Sequence, residues 1–337
     1  MAATPVIDRM RRAIAERRLA APDAAVLLMV SGGSDSTALA YLAAELRDAG
    51  ELGPLAMLHV NHQLRGADAD ADARFTASLA EALGIPLFAC EVDVAGEARR
   101  TGGNVEAVAR SERYLAANEA LASMALHEGC PLSEARIFTA HTADDRIESF
   151  YMRSIVGTGP GGFRSMLYRN GPVARPLLDV TRDELRSLIE ARAAADDPGA
   201  PVVRDEQGAL WREDATNAHT DRFRAYVRHE LVPKAKAWDA RMPESLVRTM
   251  NLIAEEDDML DAMAAEAIAA HAAPLGAAAS DGEAAARNGA GSPEEGPAPG
   301  APVPSTGDAA YTEGFLLAPS FGAQPKPLQR RAAHKLL

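Results

Sequence analysis

Short apolar runs alternate with stretches of helical composition through the first half of the chain. Ala24–Val30 (AAVLLMV) is strand-like and stops at Ser31 and two glycines; Asp35–Ala49 is helical in composition, with Gly50 placed to cap it. Leu55–Val60 is the next strand candidate, Ala69–Leu83 a helix closed by Gly84, Pro86–Val94 a third strand and Asn104–Glu128 a long helix. Arg136–Ala140 is a fourth strand, and Ala143–Val156 a helix ending at Gly157. This alternation predicts an α/β fold, a doubly wound parallel sheet. Ligands of such sheets bind outside the carboxyl ends of the strands, where every motif discussed below falls.

After Gly157 the pattern changes. Gly157–Gly162 (GTGPGG) reads as a flexible loop of functional length, neither helix nor strand. Thr181-Arg182-Asp183-Glu184 has the form of a capping box and opens a helix through Arg192. Arg222–Lys236 and Leu246–Ala273 read as further helices. The expected division is a catalytic domain over 1–217, a helical segment over 218–273, a disordered Ala-, Gly- and Pro-rich linker over 274–308, and over 309–337 the start of a C-terminal helical region that is incomplete.

Composition narrows the class. A hydrophobic fraction of 47% is ample for a core, and with only 5% aromatics that core must be mainly aliphatic. No apolar run approaches the roughly 18–20 residues that span a bilayer. Met1–Ala20, with five arginines and no apolar core region, reads as an amphipathic first helix and not a signal, so a cytoplasmic protein without membrane partners is expected. Two cysteines, Cys90 and Cys130, exclude a disulfide framework and a multi-thiolate zinc site, and read as buried or half-buried thiols. A net charge of −13 argues against a uniformly basic nucleic-acid coat. The arginines nevertheless cluster, around 99–113, 164–192 and 222–228, and an acidic total can hide a basic face.

The strand–loop–helix setting of Ser31-Gly32-Gly33-Ser34-Asp35-Ser36 points to phosphate binding. Glycines let backbone amides approach phosphate oxygens, the following helix N-terminus adds partial positive charge, and the hydroxyls add donors. Asp35 could hold magnesium against the phosphates. The Walker and dinucleotide forms are both absent. A plain Gly-Ser turn is the bland alternative. His59 and His62, flanking Asn61 and followed by Arg65, end the second strand, where an imidazole could meet adenine or phosphate; a structural histidine is the competing reading. Arg110 and Arg113 share a helix face and could clamp phosphate or an RNA backbone, or be solvated. Asp144, Asp145 and Glu148 follow His141 in the first turns of a helix; the macrodipole partly explains them, yet three acids in five positions opposite a phosphate site call for a cation. Arg222, Arg224 and Arg228 fall in a block with Trp211, Arg212, Phe223 and Tyr226, an interleaving that suits nucleic acid or equally a core stripe with a wet face.

SGGSDS after an apolar strand resembles the signature of N-type ATP pyrophosphatases, the PP-loop enzymes, of Rossmann-like fold. His59–Arg65 (HVNHQLR) resembles the HVNHGLR segment of the tRNA(Ile)-lysidine synthetases within that superfamily. Asn104-Val105-Glu106-Ala107 with Ala109-Arg110 and Arg113-Tyr114, His141–Ser149 (HTADDRIES), Arg175–Leu178 (RPLL) and Glu213–Asn217 (EDATN) resemble four further motifs of that family, in order over roughly residues 24–235. Thr142, Arg146, Ile147 and Ser149 depart from its pattern without removing an acid, and Gln63 stands where glycine is usual.

The resemblance implies a carbon–nitrogen ligase using ATP and Mg2+. The wobble cytidine of tRNA(Ile) with a CAU anticodon is adenylated, and free L-lysine then displaces AMP. It implies ATP contacts from Ser31, Gly32, Gly33, Ser34, Asp35, Ser36, His59, Asn61 and His62, and lysine binding by Asp145 and Glu148. The implied catalytic set is Asp35, Arg110, Arg113, His141, Asp145 and Glu148, with Asp35 the magnesium ligand. Arg65, Arg222, Arg224 and Arg228 become tRNA contacts, and a homodimer stays open. The alternatives are another PP-loop tRNA-modifying enzyme, such as a 2-thiolation enzyme, and a non-catalytic ATP-binding module.

Overall fold

The computed structural model describes residues 5–195, 197–213, 223–274 and 315–336. The chain forms two compact units, Met1–Asn251 and Leu252–Leu337. The expected boundary at 217/218 and nearly all of the expected 274–308 linker lie outside the described residues.

The first unit is built on a six-stranded sheet. Its strands are β1 (Val26–Met29), β2 (Leu55–Asn61), β3 (Leu87–Glu91), β4 (Arg136–Phe138), β5 (Arg169–Asn170) and β6 (Val173–Ala174), in the order β3-β2-β1-β4-β6-β5. All neighbours are parallel except the edge pair β5–β6. Its helices are α1 (Val6–Glu16), α2 (Ser34–Asp48), α3 (Ala67–Ala82), α4 (Val94–Thr101), α5 (Val105–Glu128), α6 (Ala143–Val156) and α7 (Arg182–Ala195).

The period-2 alternation of strand side chains builds two cores at once. Val26 and Leu28 of β1, with Leu55 and Met57 of β2, face one layer with Leu39 and Leu42 of α2 and Leu79 of α3. Ala25, Leu27, Ala56 and Leu58 face the other, against Ala117, Leu121 and Met124 of α5. Because both faces are covered, these strands read as continuous apolar runs. Chain order reverses between β1 and β4, and the crevice at that switch point is where doubly wound sheets bind ligands.

Local chemistry sets the helix ends. Asn104 caps α5 by accepting from the Glu106 and Ala107 amides, and Gly129 closes it in the left-handed region. The anticipated capping box at Thr181 and Glu184 forms at the start of α7. Three features differ from the sequence reading. A 3-10 turn over Pro160–Arg164 replaces part of the expected loop, with proline supplying its first φ. Helix α4 and the two-residue strands β5 and β6 were not anticipated.

Past the undescribed 214–222, α8 (Phe223–Tyr226), a π turn over Val227–Leu231 and α9 (Val232–Trp238) run on without a break. Pro233 lacks an amide and its ring crowds the carbonyl four residues earlier, which accounts for the widened turn just before it. Helix α10 (Met242–His271) follows.

The second unit carries a two-stranded antiparallel ladder, β7 (Ala272–Pro274) with β8 (Phe315–Leu317), and helix α11 (Lys326–Leu336). Ala267, Phe321 and Ala332 form its small core, and Arg331 pairs with Asp257 and Asp261. Among the described residues no helix is long and apolar enough to cross a membrane.

Candidate active site

The Ser31–Ser36 loop joins β1 to α2 at the carboxyl end of the sheet. Gly32 has φ +87°, a conformation open to glycine, and its carbonyl accepts from the Arg212 amide (2.9 Å) and the Thr37 hydroxyl (3.2 Å). The Ser36 hydroxyl lies 3.2 Å from both the Ser31 amide and the Ser31 hydroxyl and donates to the Gly33 carbonyl. The loop is thus braced from within before any ligand arrives. Gly33 is the N-cap of α2 and has no side chain to satisfy the first amides, which leaves those donors to an anion.

Two arginines that the sequence reading did not assign to the site stand against this loop. Arg182 and Arg186, one turn apart on α7, donate to Asp35 (3.0 Å) and Ser34 (3.4 Å). Arg182 also lies 3.8 Å from Asp145, so one guanidinium joins the loop after β1 to the acidic cluster after β4. Burial raises the pKa of Asp35, against the pull of Arg182. For Asp145 burial works in the same direction, but the Thr142 amide, His141, Arg224 and Arg182 outweigh it and hold the carboxyl below its usual range.

Asp145 belongs both to the fold and to the site. One oxygen completes a capping box with Thr142 at the start of α6 (2.9 Å to its amide), and the other accepts from Arg224 (2.8 Å). Glu148, 2% exposed, accepts from Arg224 (2.8 Å) and Arg228 (2.6 Å). The acid pair is therefore covered by two arginines from the α8 and π-turn segment. Asp144 does not join it, accepting instead from the Arg182 amide to cap α7 (2.7 Å). His141 sits 2.9 Å from the Thr139 hydroxyl, and burial lowers its pKa to about 4 despite Asp145.

The histidines after β2 divide. His59 is buried, with its Nδ1 3.0 Å from the Val30 carbonyl, so it ties β2 to the end of β1, and burial lowers its pKa. Asn61 shapes the turn, accepting from the Gln63 amide and donating to Asp70. Gln63, in place of glycine, takes φ +53°. His62 accepts from Arg113 (3.1 Å); burial and that arginine push its pKa down to about 4.

Arg110 instead lies over the Tyr114 ring, and Arg175 of the RPLL segment contacts the Tyr114 hydroxyl, while Leu177 and Leu178 are wholly buried. Arg65 pairs with Asp72, whose other oxygen accepts from Arg212. Arg222 and residues 214–217 of the EDATN segment lie outside the described residues. Cys90 and Cys130 are half-buried free thiols.

The site roles of Arg182 and Arg212 are tertiary and so have no local signal: Arg182 sits in a motif that reads as a helix cap, and Arg212 reads as one member of the arginine–aromatic block, not as a contact of Gly32 and Asp72.

The family model described as a PP-loop domain matches residues 4–235. The chain is 36% identical over 246 residues to a tRNA(Ile)-lysidine synthase of Thermus thermophilus, covering 72% of this chain and 42% of that protein. It is 33% identical to one from Porphyromonas gingivalis, covering 72% and 48%, and 29% identical to one from Geobacter sulfurreducens, covering 79% and 52%. The chain thus spans about half the length of the curated relatives it matches. Among solved structures, the U34-tRNA thiolase NcsA of Methanococcus maripaludis shares the fold, with a TM-score of 0.52 at 18% identity over 74% of this chain and 78% of that one. By its sequence over these residues the chain belongs to the PP-loop domain family.

Proposed function

We propose that the chain carries the catalytic part of a tRNA(Ile)-lysidine synthetase, with residues 1–217 as its catalytic domain and 218–273 as the segment that handles RNA. The observation that carries this reading is the bridge made by Arg182, which places the phosphate loop and the acidic cluster in one ion-pair network. An ATP held at Ser31–Ser36 then has its α-phosphate beside carboxylates suited to an amine.

In the first step the C2 oxygen of the wobble cytidine of tRNA(Ile) attacks the α-phosphate, and pyrophosphate leaves. In the second the ε-amine of L-lysine attacks C2, and AMP departs with the oxygen. Loop amides with Arg182 and Arg186 offset the phosphate charge. Among the described residues no group of three or more His, Cys, Asp or Glu side chains could hold a metal alone. Asp35 offers a single carboxylate, which fits a magnesium ion whose other ligands are phosphate oxygens and water.

Asp145, held ionised, suits the lysine ammonium, and Glu148 beside it suits acceptance of the amine proton. The ammonium would exchange with Arg224 and Arg228, which now cover both acids. The deciding experiment measures pyrophosphate release and labelled-lysine transfer with ATP and a tRNA(Ile) CAU transcript. Release that requires both tRNA and lysine, with lysine becoming RNA-bound, is expected; release indifferent to tRNA, or no lysine transfer, refutes the reading.

A further inference from the structure

A half-open cavity of about 520 Å3 lies at the amino ends of the strands, away from the phosphate loop. Arg136 on its wall pairs in register with Val26, the first residue of β1, whereas the phosphate loop begins beyond the last residue of that strand. Aliphatic side chains such as Ile14 and Leu46 form part of the lining, and the charged lining residues are Arg11, Arg18, Arg136, Arg169 and Glu51. Arg11 and Glu51 neutralise each other through two hydrogen bonds (2.5 and 2.9 Å).

The other three arginines form no salt bridge with a carboxylate among the described residues; Glu134 acts on Arg136 only from beyond that distance. Arg169 gives its Nε to the Gly171 carbonyl (3.2 Å). Arg136, 9% exposed, spends Nη1 on the carbonyls of Ser133 and Ala135 (2.7 and 2.8 Å), leaving its buried Nε without a protein acceptor. Burial and the neighbouring Arg169 lower its pKa, only partly opposed by Glu134 and Cys130, so a bound anion would relieve the site.

Arg18 adds an independent mark. It occupies the first position past the C-cap of α1 at φ +50°, where its amide bonds the Ala15 carbonyl and the Leu19 amide bonds that of Ile14. This is the hydrogen-bond pattern of a Schellman cap, whose left-handed position normally takes glycine. Here it holds a long cation at the cavity despite the backbone strain of a non-glycine residue in that region. Three arginines that form no salt bridge among the described residues thus line one cavity in a chain whose net charge is −13.

We propose that this cavity is a second ligand site, built for the phosphate of a nucleotide, with Arg136 beneath it and Arg18 and Arg169 at its sides. Planar guanidinium groups match phosphate geometry in a two-point contact, and the aliphatic wall offers a surface for ribose or base. A cavity of this size holds a small ligand of that class. The phosphate belongs either to a free nucleotide or to one nucleotide of an RNA strand.

Equilibrium dialysis distinguishes these, with labelled AMP in one arm and a short 5′-phosphorylated oligoribonucleotide in the other. The proteins are the full chain, its Arg18→Gly/Arg169→Gln variant and Arg136→Gln. Binding of at least one probe should lose one molar equivalent, or weaken at least tenfold, in the double variant; loss of AMP alone assigns a free nucleotide, and loss of the oligonucleotide alone assigns RNA. Arg18→Gly by itself should raise the urea midpoint while weakening the probe, an opposition that a purely structural arginine would not produce. Should Arg136→Gln fail to fold, the surface double variant still carries the test. Unchanged stoichiometry and affinity for both probes in the double variant overturns the proposal, as does failure of both probes to bind the unaltered chain.

Discussion

Gly32 and Gly33 stand side by side in the phosphate loop, yet alanine at each should have different consequences. Gly32 has φ +87°, and a Cβ there would come within 3.4 Å of Arg212 Cγ and 3.5 Å of Phe75 Cδ1. Those contacts are near ordinary van der Waals distance, so backbone conformation dominates, at about 1–2 kcal/mol for an L-residue in the left-handed region. Alanine also restricts the unfolded chain, returning about 0.4–1 kcal/mol. The net loss for Gly32→Ala is about 1 kcal/mol, or a Tm lower by roughly 2–4 °C for a unit of this size.

Gly33 sits at φ −69°, ψ 164°, which any residue adopts, and the nearest atom to a new Cβ is Ser31 Oγ at 3.6 Å. Its unfolded-state gain is offset by alanine's weakness at an N-cap, leaving Gly33→Ala within about 0.5 kcal/mol of neutral. The same methyl enters the space where the proposed phosphates meet the loop amides, so ATP affinity should fall at least tenfold. Urea unfolding paired with calorimetric ATP titration separates the two effects. Equal destabilisation by both substitutions, or full ATP affinity in Gly33→Ala, would refute the division.

Three further outcomes follow from the same geometry. Glu148→Gln removes one of the two carboxylates, with Asp145, that pair with Arg224 and Arg228, which are 45% and 25% exposed; solvent access discounts the buried-pair penalty to about 1–3 kcal/mol, read by urea unfolding, and lysine transfer should disappear, so that retained transfer contradicts the role given to this acid. His62 and His141 have pKa values of about 4 when folded, against about 6.5 unfolded, so the unfolded chain binds more protons between these values. Their stabilisation is complete above pH 6.5 and is lost as pH falls toward 4, by up to about 1.4 kcal/mol per pH unit for each histidine; a stability–pH slope unaffected by His141→Gln would contradict this. Gln63→Gly relieves a left-handed backbone and gives up a solvent-exposed hydrogen bond to Glu91 (3.1 Å), so the urea midpoint should rise by the equivalent of about 0.5 kcal/mol, and a fall would show that the side chain matters more than its φ.

The parts of the fold legible in the sequence were those whose signal is local. Strands buried on both faces are short apolar runs, and β1, β2 and β4 were readable from AAVLLMV, Leu55–Val60 and Arg136–Ala140 for that reason. Strands β5 and β6, at two residues each, carry no periodicity at all, and their pairing is fixed by the turn at Gly171 and by the parallel register of β6 on β4. Helix α4 was hidden because the sequence passes from strand to helix at Val92–Val94 with only Asp93 as its cap. In the site, the loop and the acids were visible as motifs. What faces them was not, since Arg182 and Arg224 reach Asp145 from positions far along the chain. Sequence showed that Asp144, Asp145 and Glu148 call for a cation, without showing that the chain supplies it.

Arg182 serves Asp35 at 3.0 Å and Asp145 at 3.8 Å with a single guanidinium. Neither carboxylate therefore has an energy of its own in the unliganded chain. In a double-mutant cycle over Asp35→Asn and Asp145→Asn, each single change leaves Arg182 to strengthen its bond with the survivor, whereas the double change strands a largely enclosed cation. The pair should be non-additive, the combined loss exceeding the sum of the two. Two loops that chain order separates by more than a hundred residues are, in thermodynamic terms, parts of one ionisable unit, which Arg224 extends from Asp145 to Glu148.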